Sequence, residues 1–267
     1  MSDFLQSMAT SSAERAAALA SIRVAGAPPA LPIRFGRFDV IAEIKDRSPA
    51  EGELATQLNE RGAQARRYAE GGAAAISVLT EPSRFAGSLQ HLADVVAAVP
   101  DTPVMRKDFL VEPVQVVEAR SVGASGVLLI ATMLSDAKLC AMLDCAFEHD
   151  MFVLLEAFDA HDLRRVGRLL ALPQYQQSAS RGQLLVGVNT RDLRTLEVDA
   201  TRLEQFAAML PQARCVAESG LRSAADAAAV AELGYQLALV GTALMRSADP
   251  AALVADMVAA GSARIAA

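Results

Sequence analysis

Several short apolar runs in this sequence stop on side chains that can move protons. VIAEIK ends with Glu43 and Lys45, VMRK with Lys107, and FVLLE with Glu156. Carboxylates and amines suit general acid–base work because burial and neighbouring charge can carry their pKa values toward neutrality. Glu43 and Lys45 stand two apart, so on an extended strand they share a face, either as a structural ion pair or as a working pair. Lys107 is either a solvated loop charge or a proton donor whose pKa nearby cations lower. Glu156 closes a wholly apolar run, where a carboxylate is costly unless it faces a polar cavity, and partial desolvation there raises its pKa into the acid–base range.

Other runs end in smaller polar groups: Asn189-Thr190-Arg191-Asp192, Glu218-Ser219-Gly220 and Gly241-Thr242. Ser219-Gly220 and Gly241-Thr242 suit either a cradle of backbone amides around a phosphate or two ordinary tight turns. His91, His149 and His161 show no HxH or HExxH spacing, so no metal site is expected. Cys140, Cys145 and Cys215 lack a CxxC pair and are odd in number, which speaks against a disulfide framework and leaves them as buried thiols.

The elements that carry these ends alternate along the chain. Candidate strands rich in β-branched residues fall at Val40–Lys45, Ala75–Thr80, Val104–Lys107, Gly126–Ile130, Phe152–Glu156, Leu184–Asn189, Arg214–Ala217 and Leu237–Val240. Helical patterns separate them at Asn59–Glu70, Ser88–Ala98, Pro113–Ser121, Asp136–Glu148, Ala160–Leu170, Arg202–Met209 and Ala224–Leu233, and a last one spans Pro250–Ala259. Thr201 with Glu204, and Ser223 with Asp226, have capping-box spacing. Eight βα units without a glycine-rich dinucleotide fingerprint after the first strand predict a single closed (β/α)8 barrel of the TIM type rather than an open sheet. A barrel of this kind keeps its chemistry at the C-terminal ends of its strands, which is where the polar residues fall.

Residues 1–39 precede the repeat and read as a short N-terminal helical extension packed on the barrel, with a helix around Ala13–Ile22; residues 40–267 read as the catalytic barrel. Pro173–Gly182, polar and rich in Gln and Ser, reads as an extended surface loop. The whole chain of 267 residues fits the roughly 250 typical of such a barrel.

Composition narrows the function classes. A net charge of −6 with scattered basic residues excludes a nucleic-acid footprint, and no apolar run approaches the ~20 residues of a membrane span. The acidic, polar N-terminus is unlike a secretory signal, which points to the cytoplasm. An anionic ligand would then need a locally positive site, which makes lysines at strand ends the residues to follow. Nothing in the sequence distinguishes a monomer from a homo-oligomer.

IAEIKDRSPAEG, ISVLTEPSRFAGS, VMRKDFLVEPVQVVEAR, GVNTRDLRTLEVD and VAESGL, in that order and spacing, resemble the successive signatures of the indole-3-glycerol-phosphate synthase family, from about Val40 to Asp249. The resemblance implies a cofactor-free carboxy-lyase of tryptophan biosynthesis. Its substrate would be a small anionic sugar phosphate, 1-(2-carboxyphenylamino)-1-deoxyribulose 5-phosphate, which loses carbon dioxide and water as the indole ring closes. Lys107 would be the general acid, Lys45 the partner of the anthranilate carboxylate and an aid to proton transfer, and Glu43 the residue positioning both amines. Glu156 would serve in the dehydration, with Asn189 and Glu218 orienting the hydroxylated chain and the lysines. Ser48 and Arg191 would lie near the substrate, Phe85 and Phe109 would cover its ring, and Ser219, Gly220, Gly241 and Thr242 would hold the phosphate.

Asp46, Arg47, Thr190 and Thr242 depart from the family's usual residues. Those departures supply the rival reading, a non-catalytic paralogue that binds an anionic metabolite or partner. A phosphoribosylanthranilate isomerase would want a cysteine where Lys45 stands. A Schiff-base aldolase would use a strand-end lysine as nucleophile.

Overall fold

The computed structural model describes residues 3–19, 22–48, 52, 53, 61–192, 195, 197–199 and 201–265. Eight parallel strands close into a barrel: β1 (Asp39–Ile44), β2 (Ala75–Leu79), β3 (Val104–Lys107), β4 (Gly126–Ile130), β5 (Phe152–Ala157), β6 (Leu184–Asn189), β7 (Arg214–Glu218) and β8 (Leu237–Val240). Each pairs with the next in sequence, and Val40 opposite Ala238 joins β1 to β8. This is the (β/α)8 barrel that the alternating pattern predicts.

The strands read as apolar runs because both of their faces are buried. Alternate residues fill two layers. Ile41, Ala75, Met105, Leu128, Leu154 and Leu185 pack inside the barrel, whereas Val40, Ile76, Val127, Val153 and Val186 pack outward against the helices. Each of the Val, Ile, Leu and Met side chains contributes about 1.5–3 kcal/mol by leaving water.

The helices start where local chemistry satisfies their first amides. Ser223 and Asp226 form the reciprocal capping box ahead of Ala224–Glu232, and Pro113 occupies the first turn of Pro113–Ser121. Thr201 does not cap: it lies inside the helix Thr201–Ala207, and its hydroxyl donates to Asp199 Oδ1. Among the described residues, no helix is long and apolar enough to cross a membrane.

Three local expectations change. The N-terminal helix spans Asp3–Ala17 rather than Ala13–Ile22, because Leu5, Met8, Ser12 and Ala16 form the stripe that packs inward; Ala20 and Ser21 lie outside the described residues. Pro173–Ser180 is a helix, not an extended loop: Tyr175, Ser178 and Ala179 share a buried face, and the Tyr175 hydroxyl donates to Asp144. Cys215 is buried, but Cys140 and Cys145 are only half-buried. Asn59 and Glu60, where the pattern predicts that a helix starts, lie outside the described residues, and the helix is described from Arg61.

The N-terminal segment touches both ends of the barrel. Ile33 and Phe35 join the interior layer near the strand starts, where the Arg214 guanidinium lies 4.1 Å over the Phe35 ring. The Asp3–Ala17 helix sits at the opposite rim, where Phe4, Leu5 and Met8 meet Phe109 and its apolar neighbours.

Candidate active site

A cavity of about 460 Å³ opens at the C-terminal rim, and every residue nominated from the sequence lines it. Register explains the convergence. Leu79 lies opposite Lys107, Ile130 opposite Glu156, and Asn189 opposite Glu218, so successive strands run out at similar heights and turn their last inward residues into one space.

Glu43 is the centre of charge. Its Oε1 lies 2.8 Å from Lys45 Nζ and its Oε2 lies 2.8 Å from Lys107 Nζ. Burial by itself would raise the Glu43 pKa, but the two ammonium groups outweigh it and hold the carboxyl at about 2. Lys107 is shifted upward, against the expectation that cations would lower it: desolvation works downward and is overcome by Glu43, Glu218 and Glu156. The adjacent cation, Arg106, points the other way and is bound to Asp108, Glu118 and Thr80.

Opposite the lysines stand two carboxyls of a different kind. Burial raises the Glu156 pKa, partly offset by Lys107 and by the Asn189 amide that donates to its Oε1. The carbonyl of Asn189 is occupied as well, accepting from the Arg191 amide and the Ser219 hydroxyl at 2.9 Å each. Glu218 is raised well above the ordinary value by burial and then by the charge of Glu156. Neither of its buried oxygens has a hydrogen-bond partner among the described residues. The floor of the site thus sets two lysines about one ionised carboxylate, opposite two carboxyls biased toward their protonated forms.

Phe109 meets Phe4 edge-on at 5.8 Å and tilts toward Phe85 at 6.1 Å, giving one wall an aromatic surface. Glu81 fixes Phe85 by capping the short helix Pro82–Phe85, accepting from the amides of Ser83, Arg84 and Phe85. Asp108 fixes the start of the Phe109 loop: its Oδ1 accepts from Arg15 at 2.7 Å and from the Phe109 amide at 2.8 Å, and its Oδ2 accepts from Thr80 and Arg106.

At the far side lie Ser219, with φ +70°, and Gly220, with φ +84°, beside Gly241 and Thr242. Thr242 opens the short helix Thr242–Arg246. Ser48 enters from a two-stranded ribbon in which Arg47 pairs with Glu53 and Ser48 with Gly52. Pro49, Ala50 and Glu51 of the same motif lie outside the described residues. Two of the departures have local explanations: Asp46 pairs with Arg61, and the Thr190 hydroxyl donates to the carbonyl oxygens of Glu218 and Ser219.

Sequence reasoning missed Phe4, Phe158, Arg222 and Arg246, which also line the cavity. Arg222 and Arg246 could have been found, since each closely follows one of the two small-residue strand ends. Phe4 could not, because its place depends on how the N-terminal helix docks. Among the described residues, Asp159, His161 and Asp162 bring potential metal-ligand atoms within 4.8 Å of one another, but Asp159 and Asp162 serve there as acceptors for the amides of Asp162 and Phe158.

Residues 28–257 match the family model described as indole-3-glycerol phosphate synthase. The chain belongs to that family. A curated indole-3-glycerol phosphate synthase of Parafrankia sp. (strain EAN1pec) is 44% identical over 231 residues, covering 86% of this chain and 81% of the relative. Another, of Nocardioides sp. (strain ATCC BAA-499 / JS614), is 43% identical over 253 residues, covering 93% and 90%. The solved structure of 3-hexulose-6-phosphate synthase from Salmonella typhimurium superposes with a TM-score of 0.64 at 15% identity, covering 85% of this chain and all of the other, a likeness of fold. Membership of the indole-3-glycerol phosphate synthase family makes the chain a carboxy-lyase acting on a phosphorylated small molecule.

Proposed function

We propose that this barrel binds 1-(2-carboxyphenylamino)-1-deoxyribulose 5-phosphate and releases indole-3-glycerol phosphate, carbon dioxide and water. The observation that carries the assignment of roles is Glu43 held between two lysines, facing Glu156 and Glu218 in one cavity.

In this reading Lys107 donates a proton to the ribulose carbonyl oxygen as the aromatic carbon forms its bond to the carbonyl carbon. A lysine with a raised pKa can still do this, because the alkoxide that forms is a stronger base than an amine. Lys45 holds the anthranilate carboxylate and assists proton transfer, and Glu43 holds both amines in place. Glu156 takes part in the proton transfers that expel water, with Asn189 and Glu218 orienting the hydroxylated chain. Phe85 and Phe109 cover the aromatic ring, and Ser48 and Arg191 flank the substrate. Ser219, Gly220, Gly241 and Thr242 hold the phosphate through amides and hydroxyls, with Arg222 and Arg246 adding positive charge nearby.

Residues 1–39 act as an extension that completes the rim, and residues 40–267 form the catalytic unit. A cytoplasmic setting agrees with three free cysteines. The test is to mix purified protein with the substrate and follow indole fluorescence, with Lys107→Ala as the paired control. Turnover that disappears in the variant supports the reading; a flat trace from folded, substrate-binding protein overturns it in favour of a non-catalytic binding role.

A further inference from the structure

Gly187 sits in the middle of β6, between Val186 and Val188, with both faces of the strand buried. Glycine weakens a strand interior, because it brings no side chain to pack and loses the most backbone freedom on folding. No turn or left-handed φ calls for it at this position. What requires it is space. A Cβ at Gly187 would lie 1.9 Å from Glu218 Oε1 and 3.1 Å from its carboxyl carbon, with Leu154 Cδ1 at 3.2 Å closing the other side. The register sets Gly187 between Glu156 on β5 and Val216 on β7, two residues below Asn189, so the missing side chain would have pointed into the barrel beneath the acid–base groups.

Glu218 fills that space. It is buried to 1% exposure, and neither carboxyl oxygen finds a hydrogen-bond partner among the described residues. With no hydrogen bond to fix it, the carboxyl takes its place from packing, and the bare backbone of Gly187 is the surface against which one of its oxygens rests. The same device recurs across the barrel, where a Cβ at Gly241 would lie 2.3 Å from Glu43 Oε1 and 3.0 Å from Lys45 Nζ. Glu43 is also held by two lysines, however, so only Glu218 depends on its glycine for position.

We propose that Gly187 is a positioning residue: it provides the slot that keeps the Glu218 carboxyl against the barrel wall and out of the volume the substrate occupies. A side chain at position 187 would drive the carboxyl toward the cavity, into substrate space and closer to Lys107. The activity readout of this proposal rests on the ring-closure reading above. The stability readout does not.

A double-mutant cycle over Gly187→Ala and Glu218→Ala decides it, because a residue acting through a partner loses its effect when the partner is gone. Gly187→Ala alone is expected to lower the melting temperature and to cut kcat by about tenfold or more, with KM changed much less. In the Glu218→Ala background the added methyl enters vacated space. There the same change should leave kcat within about twofold of the single Glu218→Ala variant and raise the melting temperature, since alanine suits a buried strand better than glycine. A loss of melting temperature equal in both backgrounds would falsify the proposal, as would a kcat loss that persists undiminished without Glu218.

If Gly187→Ala alone does not fold, recovery of a cooperative melt in the double variant supports the slot, and failure to recover opposes it. Wild-type protein without turnover removes the ring-closure reading but leaves the melting-temperature comparison intact.

Discussion

Lys107 Nζ lies 2.8 Å from Glu43 Oε2 although 64 residues separate the two in sequence, and this ion pair sets the protonation of the site. Together with Lys45 it pulls Glu43 from its ordinary value of 4.5 down to about 2, and together with Glu218 and Glu156 it raises Lys107. Because the folded pKa of Glu43 is depressed, its ionised form contributes stability that is complete above about pH 4.5 and is lost as pH falls toward 2.

Glu43→Gln is therefore expected to flatten the acid side of the stability curve. Between pH 5 and 7 it should cost on the order of 3 kcal/mol, as expected for a carboxyl held at about 2 in place of 4.5, and below about pH 2 the variant and parent should converge. Turnover should fall by roughly 10²-fold or more as Lys45 and Lys107 lose their shared anchor. Chemical denaturation across pH, with kinetics at pH 7.5, checks both; a constant stability difference from pH 2 to 7 would contradict the pairing.

Glu218 carries the opposite sign. Its folded pKa is raised, so the protein loses stability as pH rises past the ordinary value of 4.5, where the unfolded chain ionises more readily than the folded one. Glu218→Gln removes that titration while nearly keeping the shape. It should melt about 2–4 °C above the parent at pH 8, for an effect of about 1 kcal/mol, while turnover drops at least tenfold. Parallel melting curves for the two proteins from pH 5 to 8 would refute the shifted ionisation.

The barrel was legible because doubly buried strands leave wholly apolar runs, and the candidate site because polar residues such as Glu156 and Asn189 end those runs. What stayed hidden depended on packing across the chain. The direction of the Lys107 shift was misread because Arg106 is its neighbour in sequence but faces away from it, whereas Glu43, Glu156 and Glu218 arrive from three other strands. The Pro173–Ser180 helix was missed because its Gln and Ser content masks a buried face made by little more than Tyr175 and Ala179. The N-terminal helix was drawn to the alanine-rich AERAAALA segment by propensity, but contacts of Leu5 and Met8 with the rim place it earlier.

Phe85 is held at the cavity wall by the Glu81 cap and lies 6.1 Å from the Phe109 ring, so the two rings give that wall an aromatic surface. Phe85→Ala is expected to raise KM about two- to tenfold, matching the 0.5–1.5 kcal/mol of an aromatic contact, and to leave kcat within about threefold. Phe85→Tyr should restore most of the affinity. A kcat loss larger than the KM increase would place Phe85 in the chemistry rather than in ring binding.

Arg15 ties the N-terminal helix to the rim. Its guanidinium donates to Asp108 at 2.7 Å and lies 3.6 Å from Glu81, so one side chain bridges the groups that fix Phe109 and Phe85. The helix it anchors also carries Phe4 onto the Phe109 ring. Arg15→Met keeps the aliphatic stem but removes the charge. Asp108 retains Thr80, Arg106 and the Phe109 amide, so the barrel should stay folded, with a loss of about 1–3 kcal/mol typical of a charged hydrogen bond. The larger effect should be local: faster amide exchange across residues 3–17 and a KM raised about three- to tenfold, with kcat nearly unchanged. Exchange and KM both equal to the parent would mean that apolar packing of Phe4, Leu5 and Met8 alone seats the helix.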